Sequence, residues 1–283
     1  MAVSTARALV LARGLGTRMR QGDTTAALTP DQQRAAEAGL KALMPIAGRP
    51  FLDYALSALA DAGVSRVGVV VAPDHGPATA HYAAHPPSRV ALEFVVQPEP
   101  RGTADAVLAA EAWSGGEPFL VANGDNLYPA AVLRDLISLG EPGLPVFDAA
   151  DLVRTGNIPA DRVRAFALVA VDESGYLSRI VEKPAVPLPP EPADAIGTVA
   201  DPILDAGGVS MNLWRFDRRI FAACRDVDRS PRGEFELPEA VALAMRRGVR
   251  FRALPARGPV LDLSRRADAR DVEHRLAGAV PRP

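Results

Sequence analysis

Residues 8–20 read ALVLARGLGTRMR. A short run of small apolar residues stops at two glycines, and a threonine and two arginines follow. The run over residues 7–12 predicts a buried strand, because it is short, continuous and bounded by glycine. Gly14 and Gly16 then mark a tight turn. Glycine there lets the backbone approach a ligand closely, and successive amides turned to one side bind an anion. An arginine beside them, Arg18, adds a charge-assisted clamp on anionic oxygens. The turn is neither of the common phosphate loops. Met19 stands where a dinucleotide fingerprint needs glycine, and no Gly-Lys-Ser/Thr follows. On this stretch alone, a plain βα turn with solvated arginines is equally consistent.

Working outward, residues 21–40 read as an insertion containing a helix. Thr29 is its N-cap, Pro30 its first helical residue and Gly39 its stop. Residues 49–63 form the clearest amphipathic helix: Phe51, Leu52, Ala55, Leu56 and Leu59 recur at helical spacing, and Gly63 ends it. Strands are expected over 66–71, 90–96 and 119–122, and helices over 103–113 and 129–139. This βαβ rhythm predicts a mostly parallel sheet with helices on both faces and right-handed crossovers. The pattern changes near Phe147. Residues 164–171 and 176–181 read as a hairpin turning at DESG. Residues 184–202 are a proline-rich loop or lid. Residues 207–216 are strand-like, and 236–247 and 265–276 read as helices.

The chain has 283 residues, enough for one large α/β domain or two small ones; 48% are hydrophobic, and the net charge is −2. That balance gives no basic surface for nucleic acid or a membrane. No run approaches the ~20 apolar residues that span a bilayer, and no secretory signal is visible. The expectation is a cytoplasmic protein with no nucleic-acid or membrane partner. The single cysteine, Cys224, excludes an internal disulfide and reads as small apolar filler. His75, His81, His85 and His274 lack metal-ligand spacing.

Further motifs follow in order: Lys41 ahead of Pro45 and the long helix, QPEPRGTADAV at 97–107, NGDN at 123–126, RIVEKP at 179–184, and GPVLDLSRRAD at 258–268. Each is weak alone. Together, over nearly the whole chain, the series resembles the sugar-1-phosphate nucleotidyltransferases, or nucleotide-sugar pyrophosphorylases. The resemblance implies a Rossmann-like three-layer α/β fold with an extended mixed, mostly parallel sheet. It implies one nucleotidyltransferase domain over residues 1–283, with a nucleotide-binding half at 1–146 and a sugar-phosphate-binding half at 147–283. It also implies a reaction: an NTP and a sugar 1-phosphate give an NDP-sugar and pyrophosphate. The attacking phosphate oxygen is already anionic and needs no general base, so positioning, cations and a metal do most of the work.

By this resemblance Leu11, Ala12, Arg13, Gly14, Gly16, Thr17 and Arg18 hold the nucleotide's phosphates, and Lys41 orients them. Gln97 hydrogen-bonds the base, with Gly102, Thr103 and Gly124 beside it. Asp125 and Asp262 bind Mg²⁺; in its Leu-Asp-Leu context Asp262 would also suit a helix N-cap. Asn126, Ala167, Glu182, Lys183 and Asn212 face the sugar phosphate, and Arg18, Lys41, Asp125 and Lys183 form the catalytic set. Glu236 in GEFELPEA matches a family glutamate that can equally be structural. The chain departs from the pattern in several places. Arg13 replaces a small residue, and Phe166–Ala167 replaces Tyr-Gly. ELPEA lacks a Thr-Asp, and DLSRRAD lacks a Thr-Gly-Thr. These changes leave open the base and the sugar, with a cyclitol phosphate as credible as glucose 1-phosphate. A homo-oligomer is left open too. Two alternatives stand beside the active enzyme: a silent nucleotide-sugar-binding regulatory subunit, and transfer to a non-sugar phosphate such as phosphocholine.

Overall fold

Along strand β1 (Ala6–Leu11), Ala8 and Val10 point into one hydrophobic core and Leu9 into another. That is the period-two alternation of a strand covered on both faces. We describe residues 6–14, 16–21, 28–163, 166–181 and 207–283 of the chain from a computed structural model.

The further strands are β2 (Pro45–Ile46), β3 (Arg49–Pro50), β4 (Val64–Val71), β5 (Ala91–Val96), β6 (Phe119–Asn123), β7 (Asn126–Leu127), β8 (Gly143–Phe147), β9 (Ala167–Val171), β10 (Leu177–Val181), β11 (Gly207–Ser210), β12 (Trp214–Phe216), β13 (Arg252–Ala256) and β14 (Leu261–Asp262). Among the described residues ten of them form one sheet, in the order β10-β9-β11-β8-β12-β6-β1-β4-β5, with β13 paired to β8. Strands β6, β1, β4 and β5 are mutually parallel. From β12 to β10 the pairs are antiparallel, apart from β13 beside β8. The sheet is therefore mixed, with its parallel part in the first half of the chain.

The register of the parallel strands levels their ends. Leu11 lies opposite Asn123 and Val70, and Val71 lies opposite Val96. The carboxyl ends of β1, β5 and β6 thus finish level, and the loops after them leave along one edge. Open α/β sheets bind ligands at that edge. Helices Phe51–Asp61 and Ala130–Ser138 cover one face. Helices Thr103–Leu108, Arg219–Asp226 and Leu237–Arg246 cover the other. A third, smaller core gathers Met19, Met44, Phe51, Leu261, Leu263 and Val272, tying the first turn to β14 and the last helix.

The insertion helix, Pro30–Ala38, has the expected ends. Thr29 Oγ1 accepts from Gln32 N, Gln32 Oε1 accepts from Thr29 N, and Gly39 closes the helix with φ 72°. Reciprocal bonds of this kind satisfy amides that would otherwise be orphaned. Two expected elements are broken. Residues 103–113 form two helices, Thr103–Leu108 and Glu111–Ser114. Residues 207–216 divide at Asn212, whose φ is 53°; β11 pairs with β9 and β8, then β12 crosses to β6. A continuous strand could not change partners there. The hairpin runs from β9 to β10 and turns through Gly175 at φ 78°. Arg164 and the proline-rich loop lie outside the described residues. Cys224 is buried, and burial pushes its thiol up. Among the described residues, no helix is long and apolar enough to cross a membrane.

Trp214 is fully buried, stacked on Phe216 and edge-on to Phe251. Trp214→Ala is expected to cost about 3–5 kcal/mol in denaturant unfolding. Its indole N–H has no hydrogen-bond acceptor among the described residues. Trp214→Phe keeps an aromatic ring and discards that orphan donor, so it should cost clearly less.

Candidate active site

A cavity of about 310 Å³ opens at the level strand ends and is lined by Leu11, Ala12, Arg13, Gly14, Thr17, Lys41, Gln97, Gly102, Thr103, Gly124 and Asp125. Most of the residues expected to hold the nucleotide therefore meet on one wall. The remaining two, Gly16 and Arg18, stand beside it. Gly16 has φ 62°, and a Cβ there would come within 2.9 Å of Gly39 Cα. The turn is thus braced, backbone to backbone, by the end of the insertion helix, and Gly39 itself lines the cavity. Arg18 is exposed and makes no hydrogen bond or ion pair among the described residues. Its guanidinium is free to take an anion.

Lys41 Nζ lies 3.1 Å from Asp125 Oδ2, and both side chains are partly exposed to the cavity. Asp125 follows β6. Gly124 gives its amide to Leu11 O at 2.9 Å, and a Cβ at Gly124 would lie 3.0 Å from that oxygen. The missing side chain lets the two loops touch.

Asp262 arrives from the far end of the chain. Strand β14 pairs with β7, placing Asp262 opposite Asn126, and Leu263 N donates to Asp125 O at 2.8 Å. Asn157 clasps the Asp262 peptide, accepting from its N and donating to its O. Asp262 is buried. Burial and the neighbouring Asp125 charge push its carboxyl above the usual range, against the pull of Arg162. Its Oδ1 is buried with no donor among the described residues. Beneath it Arg162, also buried, places Nη2 2.8 Å from Asp262 Oδ2 as a charge contact, and Nη1 2.6 Å from Asp268 Oδ1. Burial opposes the Arg162 charge, but the two carboxylates hold it above its ordinary pKa. Asp268 Oδ2 accepts from Ser264 N and Arg265 N and so ties the turn before the last helix to its first residue; neither Asp268 nor Asp262 caps that helix. Asp125 and Asp262 are the two carboxylates here that could hold a divalent cation. No group of three or more candidate ligands forms among the described residues.

The other end of the wall is Gln97, Gly102 and Thr103. Gly102 has φ 113°, and a Cβ there would strike Phe235 O at 2.4 Å. Phe235 O accepts from Ala104 N, Phe235 N donates to Arg101 O, and Thr103 Oγ1 accepts from Leu237 N. The segment at 233–240 thus staples the loop after β5. Glu236 serves this staple, buried and ion-paired with Arg232. Arg13 bends onto the carbonyls of Gln97 and Pro98 at 3.3 and 3.4 Å.

The expected sugar-side residues are not gathered in this cavity. Asn126 is buried against Asn123 and Tyr128. Ala167 is buried at the start of β9. Asn212 sits at the left-handed break with its Oδ1 unpaired. Glu182 and Lys183 lie outside the described residues. Sequence reading did not single out Glu234, which lines the cavity, nor Asp105 and Arg162, which act behind it.

Compared with known proteins, residues 7–260 match the sequence model of the nucleotidyl transferase family. The chain is 28% identical to the UTP–glucose-1-phosphate uridylyltransferase AglF of Haloferax volcanii, over 95% of this chain and 96% of the relative. It is 27% identical to a glucose-1-phosphate thymidylyltransferase of Streptomyces antibioticus, over 97% and 69%. It is 32% identical to the bifunctional protein GlmU of Maricaulis maris, over 94% of this chain and 51% of that longer relative. In fold it is similar to a UDP-glucose pyrophosphorylase solved with UDP-glucose (TM-score 0.67, 18% identity, 96% of this chain and 98% of that one). The chain belongs to the nucleotidyl transferase family, in its sugar-1-phosphate group.

Arg162→Met would leave two buried carboxylates without a counter-charge. The expected loss is about 3–5 kcal/mol in urea unfolding. The deficit should shrink as pH falls, because protonation removes the uncompensated charges.

Proposed function

We propose that this chain joins an NTP to a sugar 1-phosphate or cyclitol phosphate, releasing pyrophosphate, by in-line attack on the α-phosphate. The observation that supports this best is the Lys41–Asp125 pair at a cavity wall built from the glycine turn. A phosphate oxygen of the sugar phosphate forms a bond to the α-phosphorus. The bridge to the β-phosphate breaks, and pyrophosphate leaves with that electron pair. No proton has to move.

The chain's task is to hold two polyanions together. The Gly14 backbone and Thr17 receive the triphosphate, and Arg18 closes on its outer oxygens. Lys41 trades Asp125 for a phosphate as its counter-charge and so follows the charge as it moves to the leaving group. Lys183 holds the acceptor's phosphate as a point charge, with Glu182 on the sugar. Asn126, Ala167 and Asn212 belong to that acceptor side in this reading.

The two carboxylates fit a magnesium ion. The Oδ1 of Asp262, buried without a donor among the described residues, supports this reading, because magnesium is commonly bound by one or two carboxylates with water and substrate phosphates. When bound, it supplies positive charge that lessens repulsion between the phosphates and polarises the phosphorus. Asp125, in the loop after β6, and Asp262, in β14, would hold it. A cytoplasmic setting, where nucleoside triphosphates are made and used, is part of this proposal.

The test is pyrophosphate release with Mg²⁺, crossing four NTPs with a panel of sugar and cyclitol 1-phosphates. Turnover of at least one pair is expected, and binding without turnover across the panel would favour a regulatory subunit. Asp125→Asn and Asp262→Asn should each lower kcat by about a hundredfold, the scale of one preorganised electrostatic element. Each should also raise the Mg²⁺ concentration required. Wild-type activity and Mg²⁺ dependence in Asp262→Asn would remove it from the metal site. Lys183→Ala should raise KM for the sugar phosphate far more than KM for the NTP; equal effects would contradict its role.

A further inference from the structure

Both N–H groups of the Gln97 side chain are already engaged. Nε2 donates to Gly102 O at 3.1 Å and to Asp105 Oδ2 at 2.7 Å. A carbonyl and a carboxylate have only acceptors to offer, so the amide stands one way round, nitrogen toward Asp105 and oxygen away. Asp105 is itself fixed. It is buried, and its Oδ1 accepts from Arg101 Nη2 at 2.9 Å. Gln97 Oε1 accepts no hydrogen bond among the described residues, yet it is not sealed in the core: Gln97 lines the cavity. The wall there therefore presents the Gln97 amide oxygen as an acceptor, and an ion-paired carboxylate behind it sets its direction.

The position of that acceptor follows from the sheet. Asp125 leaves β6 and Gln97 leaves β5, with β1 and β4 between them. Three strand spacings separate the two, about 14 Å at the usual inter-strand distance. Lys41 and Asp125 place the phosphates at the first end, so the base falls to the second. This step rests on the proposed nucleotidyl-transfer function.

We propose that Asp105 is a positioning residue. It holds Gln97 with the amide oxygen toward the base, so that the site reads a ring N–H and takes a uracil or thymine nucleotide in preference to an adenine or cytosine one, a discrimination that guanine's ring N–H would also pass. Uracil and thymine both carry an N3–H beside their carbonyls, and that hydrogen meets Oε1 directly. A base with a bare ring nitrogen there would set acceptor against acceptor.

The test is the dissociation constants of UTP and of its N3-methyl analogue, with Mg²⁺, by calorimetry. Binding is read without turnover, so the outcome is separate from the question of catalysis. Wild-type protein should bind UTP about tenfold to a hundredfold more tightly, the scale of one lost hydrogen bond that leaves a partner unsatisfied. Gln97→Ala should bind both alike, which separates the hydrogen bond from the bulk of the methyl group. Asp105→Asn keeps the volume, but its oxygen goes to Arg101 as the stronger, charge-assisted bond. Its NH₂ then faces Gln97 and turns that amide oxygen inward. The preference should fall to about threefold or less while the thermal midpoint stays close to wild type. Asp105→Ala serves as the second variant, with the same loss of preference. Equal binding of the two nucleotides to the wild type, no UTP binding, or a preference unchanged in both Asp105 variants overturns the proposal. UTP binding with no pyrophosphate release would instead overturn only the catalytic reading.

Discussion

The parallel pairing of β1 with β6 and β4 is the constraint on which the site depends. With Leu11 level with Asn123 and Val70, and Val71 level with Val96, three loops leave the sheet at one height. The glycine turn, Asp125 and Gln97 are the first residues out. Side chains alternate along a strand, so a slip of one residue would send Ala8 and Val10 to the face that Leu9 fills. The two apolar cores thus hold the register, and the register places the polar groups. Hydrophobic burial fixes where the charges stand without any charge having to find its own position.

Asp262 obeys a different logic. It is fixed by a two-residue strand, by Asn157 on its peptide, and by Leu261 and Leu263 in the third core. A carboxylate this buried carries a desolvation penalty, and repulsion from the Asp125 charge adds to it. Arg162 offsets part of it, and Asp268 holds Arg162 in turn. A buried ion triad of this kind is a weak source of stability but a strong source of orientation, because its members cannot move independently. The site's second carboxylate is therefore kept in place by charges that line no part of the nucleotide cavity.

Much of this was legible in the sequence, for identifiable reasons. The glycine turn, the capping box at Thr29 and Gln32 and the amphipathic helix Phe51–Asp61 are local signals, and each is written within a few residues. The parallel half of the sheet followed from its βαβ rhythm. What escaped is long-range. Strand β13 joins β8 across more than a hundred residues, and nothing in RALPA announces the pairing. The strand after Gly207 reads as continuous because its break at Asn212 follows from a change of neighbours, not from composition. Arg162 looks like any solvated arginine in ADRV, and only the fold buries it. Asp105 likewise reads as a polar residue on a helix until Gln97 is seen against it.

Arg13 shows how a departure from the family resemblance is accommodated. A long cation stands where a small residue is expected, at a turn whose backbone lies close to the cavity. Its guanidinium folds back over the end of β5, on two carbonyls at 3.3 and 3.4 Å. Both bonds are long, both acceptors are neutral, and one contact is exposed to water, so together they restrain the side chain only weakly. A phosphate would be a charged acceptor, and charge-assisted bonds to such groups are roughly twice as strong. The geometry thus leaves Arg13 a resting partner that it can exchange. The same exchange is available to Lys41, which rests on Asp125. Arg13 is held by neutral contacts weaker than a charged acceptor would offer, whereas Lys41 already rests on a carboxylate. Both cations thus have a partner within the protein itself, so the edge keeps its charges engaged at the wall of the open cavity.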